Sequence, residues 1–169
     1  MFAPLPAEAD ATILVWVVVP PPEVAAAAAE VQRAFAGIGG IAPLPSHFLH
    51  TTVGLADGET PPGEWASIEP FRVEYRRVGC FHEAVFGEVH GDGLRRLAAP
   101  LAGRPYLPHL SLGYVREPTP PAELREVLRP LRERSLGEQL VDEVTLVRVP
   151  FSRTTLLDPW TVLTTYRLG

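Results

Sequence analysis

The pattern of apolar and polar positions opens with an unbroken apolar run, Thr12 to Val19, which reads as a strand covered on both faces. Pro20-Pro21-Pro22 ends that strand and leads into a helix whose Val24, Ala28, Val31 and Phe35 recur at helical spacing on one face. Gly37, Gly39 and Gly40 supply its break. Residues before Asp10 read as an unpaired tail, and Ala56 to Glu64 as a loop. Phe71 to Arg76 alternates apolar and charged residues as a half-buried antiparallel strand does, and Ala84 to His90 pairs with it as a second strand. A short helix follows Gly91-Asp92-Gly93, with Asp92 as N-cap and Leu94, Leu97 and Leu101 inward. Thr119-Pro120-Pro121 opens another helix, carrying Leu124, Val127, Leu128 and Leu131 on one face until Pro130 kinks or ends it. Two last strands are predicted around Val141 to Val149 and Trp160 to Leu168. Helices interspersed with mostly antiparallel strands define an α+β class, and 169 residues fit one domain spanning 1–169.

One pattern occurs twice within that framework. His50-Thr51-Thr52-Val53-Gly54-Leu55 and His109-Leu110-Ser111-Leu112-Gly113-Tyr114 share the order His, filler, hydroxyl, apolar, Gly, apolar. Strand alternation puts His50, Thr52 and Gly54 on one face, with Thr51, Val53 and Leu55 toward the core. The second copy likewise presents His109, Ser111 and Gly113, with Leu110, Leu112 and Tyr114 inward. Each strand then offers an imidazole beside a hydroxyl, and a glycine where a ligand could approach the backbone. Of the other histidines, His47 reads as surface because flanking prolines deny the helix its spacing from His50 would need, and His82 and His90 lack a hydroxyl partner.

Composition narrows the chemistry. All 15 basic residues are arginine, so a Schiff-base lysine, a phosphate loop with its lysine and a lysyl-adenylate intermediate are excluded. The single cysteine, Cys80, rules out an internal disulfide and a Cys-rich metal site. A net charge of −5 argues against wrapping long nucleic acid, and Arg72, Arg76 and Arg77, like the ridge Arg125, Arg129, Arg132 and Arg134, read as solvated faces. The apolar run near the N-terminus is too short to span a bilayer and lacks a preceding basic residue, so no membrane partner and a cytoplasmic location are expected.

The paired motifs, the second entered through Arg104-Pro105-Tyr106-Leu107-Pro108, resemble those of the 2H phosphoesterase superfamily, and within it the 2′-5′ RNA ligase and RNA 2′,3′-cyclic phosphodiesterase family. Relatives often carry a basic residue just after a motif, where this chain has Leu55 and Tyr114-Val115. The resemblance implies a bilobal duplicated fold, with helices outside and both motif strands facing a central cleft. It implies a cyclic phosphodiesterase in which His50 and His109 are the acid-base pair and Thr52 and Ser111 bind phosphate.

The residues suit that task on their own terms. An imidazole titrates near neutral pH, so one copy can take a proton while the other gives one, and the two hydroxyls can donate to phosphate oxygens. Which His is the base stays open at this level. Tyr106 is placed to stack on a base, and Arg104 or Arg153 to pair with a phosphate. The expected ligand is a small cyclic nucleotide or an RNA 3′ end, handled by a monomer without metal or other cofactor; reverse 2′-5′ ligation is conceivable. A serine hydrolase built on Ser111 lacks the strand-turn-helix elbow, and a metal site of His47, His50 and His109 lacks a suitably spaced acidic residue. The alternative is a non-catalytic module that binds a nucleotide or phosphate through the same cleft.

Overall fold

The computed structural model describes residues 12–81, 84–101, 107–116, 121–150 and 160–169. In chain order the described elements are β1 (Thr12–Val18), α1 (Pro22–Phe35), β2 (Ile41–Pro43), β3 (Thr51–Leu55), β4 (Phe71–Cys80), β5 (Ala84–His90), α2 (Asp92–Ala98), β6 (His109–Val115), α3 (Pro121–Leu128), β7 (Gly137–Val141), β8 (Glu143–Pro150) and β9 (Thr161–Arg167). The class is α+β, with every strand pairing antiparallel.

All of these strands join one sheet in the order β7-β4-β5-β6-β3-β1-β8-β9, with β2 paired to β6. Two four-strand halves, β7-β4-β5-β6 and β3-β1-β8-β9, therefore meet at the two motif strands, which is the duplicated arrangement. In each half the motif strand pairs with the strand preceding a helix: β1 precedes α1 and β3, and β5 precedes α2 and β6. The sheet must curl. Laid flat at about 4.8 Å per strand, β7 and β8 would stand six spacings, about 29 Å, apart. Only Asp142 links them, and the Gln139 amide of β7 donates to the carbonyl of Val19 beyond β1 at 2.9 Å.

The helices cover one face of this sheet. Val24, Ala28, Val31 and Phe35 of α1 are fully buried, as their spacing predicts, together with Leu94 and Leu97 of α2 and Leu110 and Leu112 of β6. Burial of each such side chain contributes about 1.5–3 kcal/mol. Gln32 is the polar exception in α1, and its amide donates to the carbonyls of Leu44 (2.7 Å) and Leu112 (2.8 Å). A single side chain thus ties the approach to the first motif to the strand of the second.

Several elements depart from the sequence pattern. The strand expected from Val141 splits at Asp142 into β7 and β8, because Gly137-Glu138-Gln139-Leu140 forms an edge strand with little apolar surface to mark it. Gly91 is the cap of α2 and Asp92 begins the helix, since the Arg72 carbonyl and Val73 crowd position 91 too closely for a Cβ. The α-helical part of α3 stops at Leu128, with a tighter turn through Pro130. Arg72, Arg76, Arg77, Arg129 and Arg134 pair with Glu138, Glu74, Glu133, Glu126 and Glu30 on the surface, consistent with solvated faces. No described helix is long and apolar enough to cross a membrane.

Candidate active site

The motif strands touch through one rung, Thr51 opposite Leu110. These are the residues immediately after His50 and His109. Extending that antiparallel register by one residue sets His50 opposite Ser111 and Thr52 opposite His109, all four on one face. The two imidazoles then occupy a diagonal, about 7–8 Å apart at the backbone, with a hydroxyl residue across from each. Beyond the rung β6 exchanges β3 for β2 as neighbour, and the Leu44 amide donates to Leu112.

A second regularity lies in the backbone. Along β1–β3 the pairing steps from Val17↔Thr52 to Trp16↔Gly54, and along β5–β6 from Phe86↔Ser111 to Val85↔Gly113. Each motif strand therefore carries a bulge at its third residue after the His, Val53 in one and Leu112 in the other. A bulge shifts the alternation by one residue. That corrects the expectations for Leu55 and for the two glycines, which rested on unbroken alternation. Leu55 is 62% exposed and not inward. Tyr114 packs partly buried against the core, as expected, while hydrogen-bonding with the Ser111 side chain. The two glycines serve packing and not ligand approach: a Cβ on Gly54 would lie 2.9 Å from the Leu101 Cβ, and one on Gly113 would meet the Ala42 carbonyl at 2.9 Å and Phe35 at 3.0 Å.

The imidazoles are held alike. Nδ1 of His50 donates to the carbonyl of Phe48 at 2.6 Å, and Nδ1 of His109 to the carbonyl of Leu107 at 3.0 Å, each two residues upstream. A carbonyl only accepts, so the proton of the neutral ring sits on Nδ1 and Nε2 keeps its lone pair. Burial lowers the pKa of His50 from 6.5 to about 4, opposed by the Phe48 carbonyl and reinforced by repulsion from His109. Burial also lowers His109, opposed by the Leu107 carbonyl. Thr52 is half-buried, whereas Ser111 is 4% exposed.

Aromatic rings flank both histidines. Trp160 stands edge-on to His50 with centroids 4.8 Å apart and is packed in turn on Phe48 at 5.4 Å. Phe81 and Phe86, stacked at 4.0 Å, meet His109 at 5.6 and 5.9 Å. Glu88 lies directly opposite His109 on the β5–β6 ladder. Sequence reasoning missed these rings and Glu88; only the alternation of Phe86, Glu88 and His90 in β5 would have hinted at a shared face.

The other candidates are accounted for as follows. His47 is exposed in a 3-10 turn against Phe48, and His90 lies on the surface with Glu88 at 3.2 Å. Tyr106, Arg104, Arg153 and His82 lie outside the described residues. Among the described residues no three His, Cys, Asp or Glu side chains converge as a metal site would.

The fold is therefore a curled antiparallel sheet in two halves that meet at the paired motif strands. Comparison with solved structures finds proteins of similar fold. TT0787 of Thermus thermophilus is 26% identical with a TM-score of 0.70, over 92% of this chain and 97% of that one. LigT of E. coli, solved with 3′-AMP, is 18% identical with a TM-score of 0.64, over 93% of this chain and 98% of its own. A protein described as a phosphoesterase is 18% identical with a TM-score of 0.59, over 94% and 99%. At 18% identity the last two likenesses are ones of fold. No protein-family model and no curated protein sequence matches the chain.

Proposed function

We propose that this protein opens 2′,3′-cyclic phosphates of nucleotides or RNA ends by paired-histidine acid-base catalysis, without a metal ion. The observation that carries the reading is the rung at Thr51 and Leu110, which sets two identically tethered imidazoles on one diagonal with Thr52 and Ser111 between them. The ligands of one fold neighbour agree with it: LigT has been solved with 3′-AMP, ATP, NADP+ and phosphate.

His50 is the general base in hydrolysis, because an imidazole held to about 4 is neutral at neutral pH. Its Nε2 takes a proton from water as the water oxygen attacks phosphorus. One ring P–O bond breaks, and the departing ribose oxygen takes the Nε2 proton of His109. A phosphomonoester and a free ribose hydroxyl result. His109 is charged in this step because the bound phosphate anion beside it favours imidazolium, offsetting the effect of burial. Thr52 and Ser111 donate to the non-bridging oxygens, Thr52 from the more open position. Run forwards with the 5′-hydroxyl of a second ribose in place of water, the same step forms a 2′-5′ bond as the 3′ oxygen departs.

The test is turnover of 2′,3′-cyclic AMP in excess chelator, measured beside equilibrium binding of 3′-AMP. Turnover in chelator supports the proposal. Binding without turnover would leave the non-catalytic module as the function, and turnover restored only by a divalent ion would contradict the metal-free step.

A further inference from the structure

Beside His109 the surface opens into a pocket of about 390 Å³, within the range of small-ligand sites. It is lined by Phe81 and Phe86, the rings that touch His109, and by Leu107, whose carbonyl tethers His109. Glu88 and His90, which follow Phe86 on the same face of β5, also line it, and the His90 Nε2 is 3.2 Å from a Glu88 carboxylate oxygen. The Glu88 side chain is 36% exposed, so it faces the pocket from a partly desolvated position.

We propose that this pocket is a nucleobase subsite that selects guanine, with Phe81 as the stacking surface and Glu88 as the reading group. The proposal rests on the cyclic-phosphodiesterase reading for its substrate class. Asp92 and Arg95 also line the pocket; the phosphate belongs between the two histidines, so the carboxylate opposite His109 on the ladder, Glu88, is the one placed to meet a neutral, donor-bearing group on the same ligand. An ionised carboxylate only accepts. Guanine presents N1–H and an N2 amino group side by side, two donors matched to two carboxylate oxygens. Adenine and cytosine set an acceptor nitrogen beside their amino group, and uracil flanks its single N–H with two carbonyls. Stacking on Phe81 serves every base alike, so discrimination falls to Glu88.

The experiment measures dissociation constants of 3′-GMP, 3′-IMP and 3′-UMP by calorimetry, and kcat/KM for 2′,3′-cyclic GMP and 2′,3′-cyclic UMP. It uses the wild-type protein, Glu88→Gln and Phe81→Ala. A good paired contact to a base edge discriminates by about 10–100-fold, so 3′-GMP should bind tighter than 3′-UMP by that factor. 3′-IMP, which lacks only the amino group, should lie between them. Glu88→Gln should shrink the guanine preference to about threefold or less, and Phe81→Ala should weaken all three ligands together. Equal affinities for 3′-GMP and 3′-IMP in the wild type overturn the proposal without recourse to any variant. A guanine preference untouched by Glu88→Gln also overturns it. Turnover of both cyclic nucleotides without preference refutes the subsite and spares the activity. Preferential, Glu88-dependent binding of 3′-GMP without turnover supports the subsite and refutes the activity.

Discussion

Acidification should destabilise this protein through His50, by an amount that follows from its burial. In the unfolded chain this imidazole titrates near 6.5, whereas in the fold burial and the neighbouring His109 hold it to about 4. Between those values the unfolded state binds the extra proton, so stability rises with pH across the window and is lost as pH falls through it. At about 1.4 kcal/mol for each tenfold change in proton affinity, the full displacement caps the effect at about 3 kcal/mol, of which about 2 is lost by pH 5. Urea unfolding at pH 7.5 and 5.0, on wild type and His50→Gln, isolates the effect, because carboxylates and the other histidines contribute to both chains. Wild type should lose about 2 kcal/mol more than the variant over that interval. His109→Gln should recover a small part of the wild-type loss, since its charge contributes to the depression. Equal losses in wild type and His50→Gln would refute the reasoning.

Gly113→Ala should cost about 1–3 kcal/mol, read as a lower urea midpoint, because the new methyl meets a backbone carbonyl and the buried Phe35; Gly54→Ala, facing only the Leu101 side chain, should cost less. Gly37→Ala, with nothing within 4 Å, is the control. Gln32→Met should lower stability by about 1–3 kcal/mol, since it strips the Leu44 carbonyl of its donor while Leu112 keeps the Leu44 amide. A thermal midpoint unchanged by Gln32→Met would show that this buried amide adds nothing. The rate of cyclic-phosphate opening should be bell-shaped in pH, with limbs belonging to the coupled pair and an acidic limb below 6.5 because both imidazoles are depressed. A flat profile from about pH 5 to 9 would contradict proton transfer by these groups.

The elements that build the core were legible where burial imposes a period. Val24, Ala28, Val31 and Phe35 declare α1 by spacing alone, and the paired motifs announce the two strands at the centre of the sheet. What failed was alternation carried past a bulge. Nothing in the apolar residues Val53 and Leu112 shows that they break the ladder, so unbroken alternation puts Leu55 on the wrong side and the glycines toward a ligand. The pairing of β3 with β6 was equally invisible, because one rung between segments far apart in sequence leaves no local trace. Trp160, Phe81 and Phe86 reach the histidines only through the curl and pairing of the sheet, which is tertiary information. Edge strand β7 went unseen because an edge needs few apolar residues to hold it.

The central claim is that His50 and His109 form one acid-base unit, and hydrolysis of a 2′,3′-cyclic nucleotide by His50→Ala, His109→Ala and the double variant tests it most directly. Each single variant should lose about two to four orders of magnitude in kcat, and the double variant should be hardly worse than either, as groups serving one step behave. Full activity in either single variant, or losses that simply add in the double, would contradict the paired mechanism.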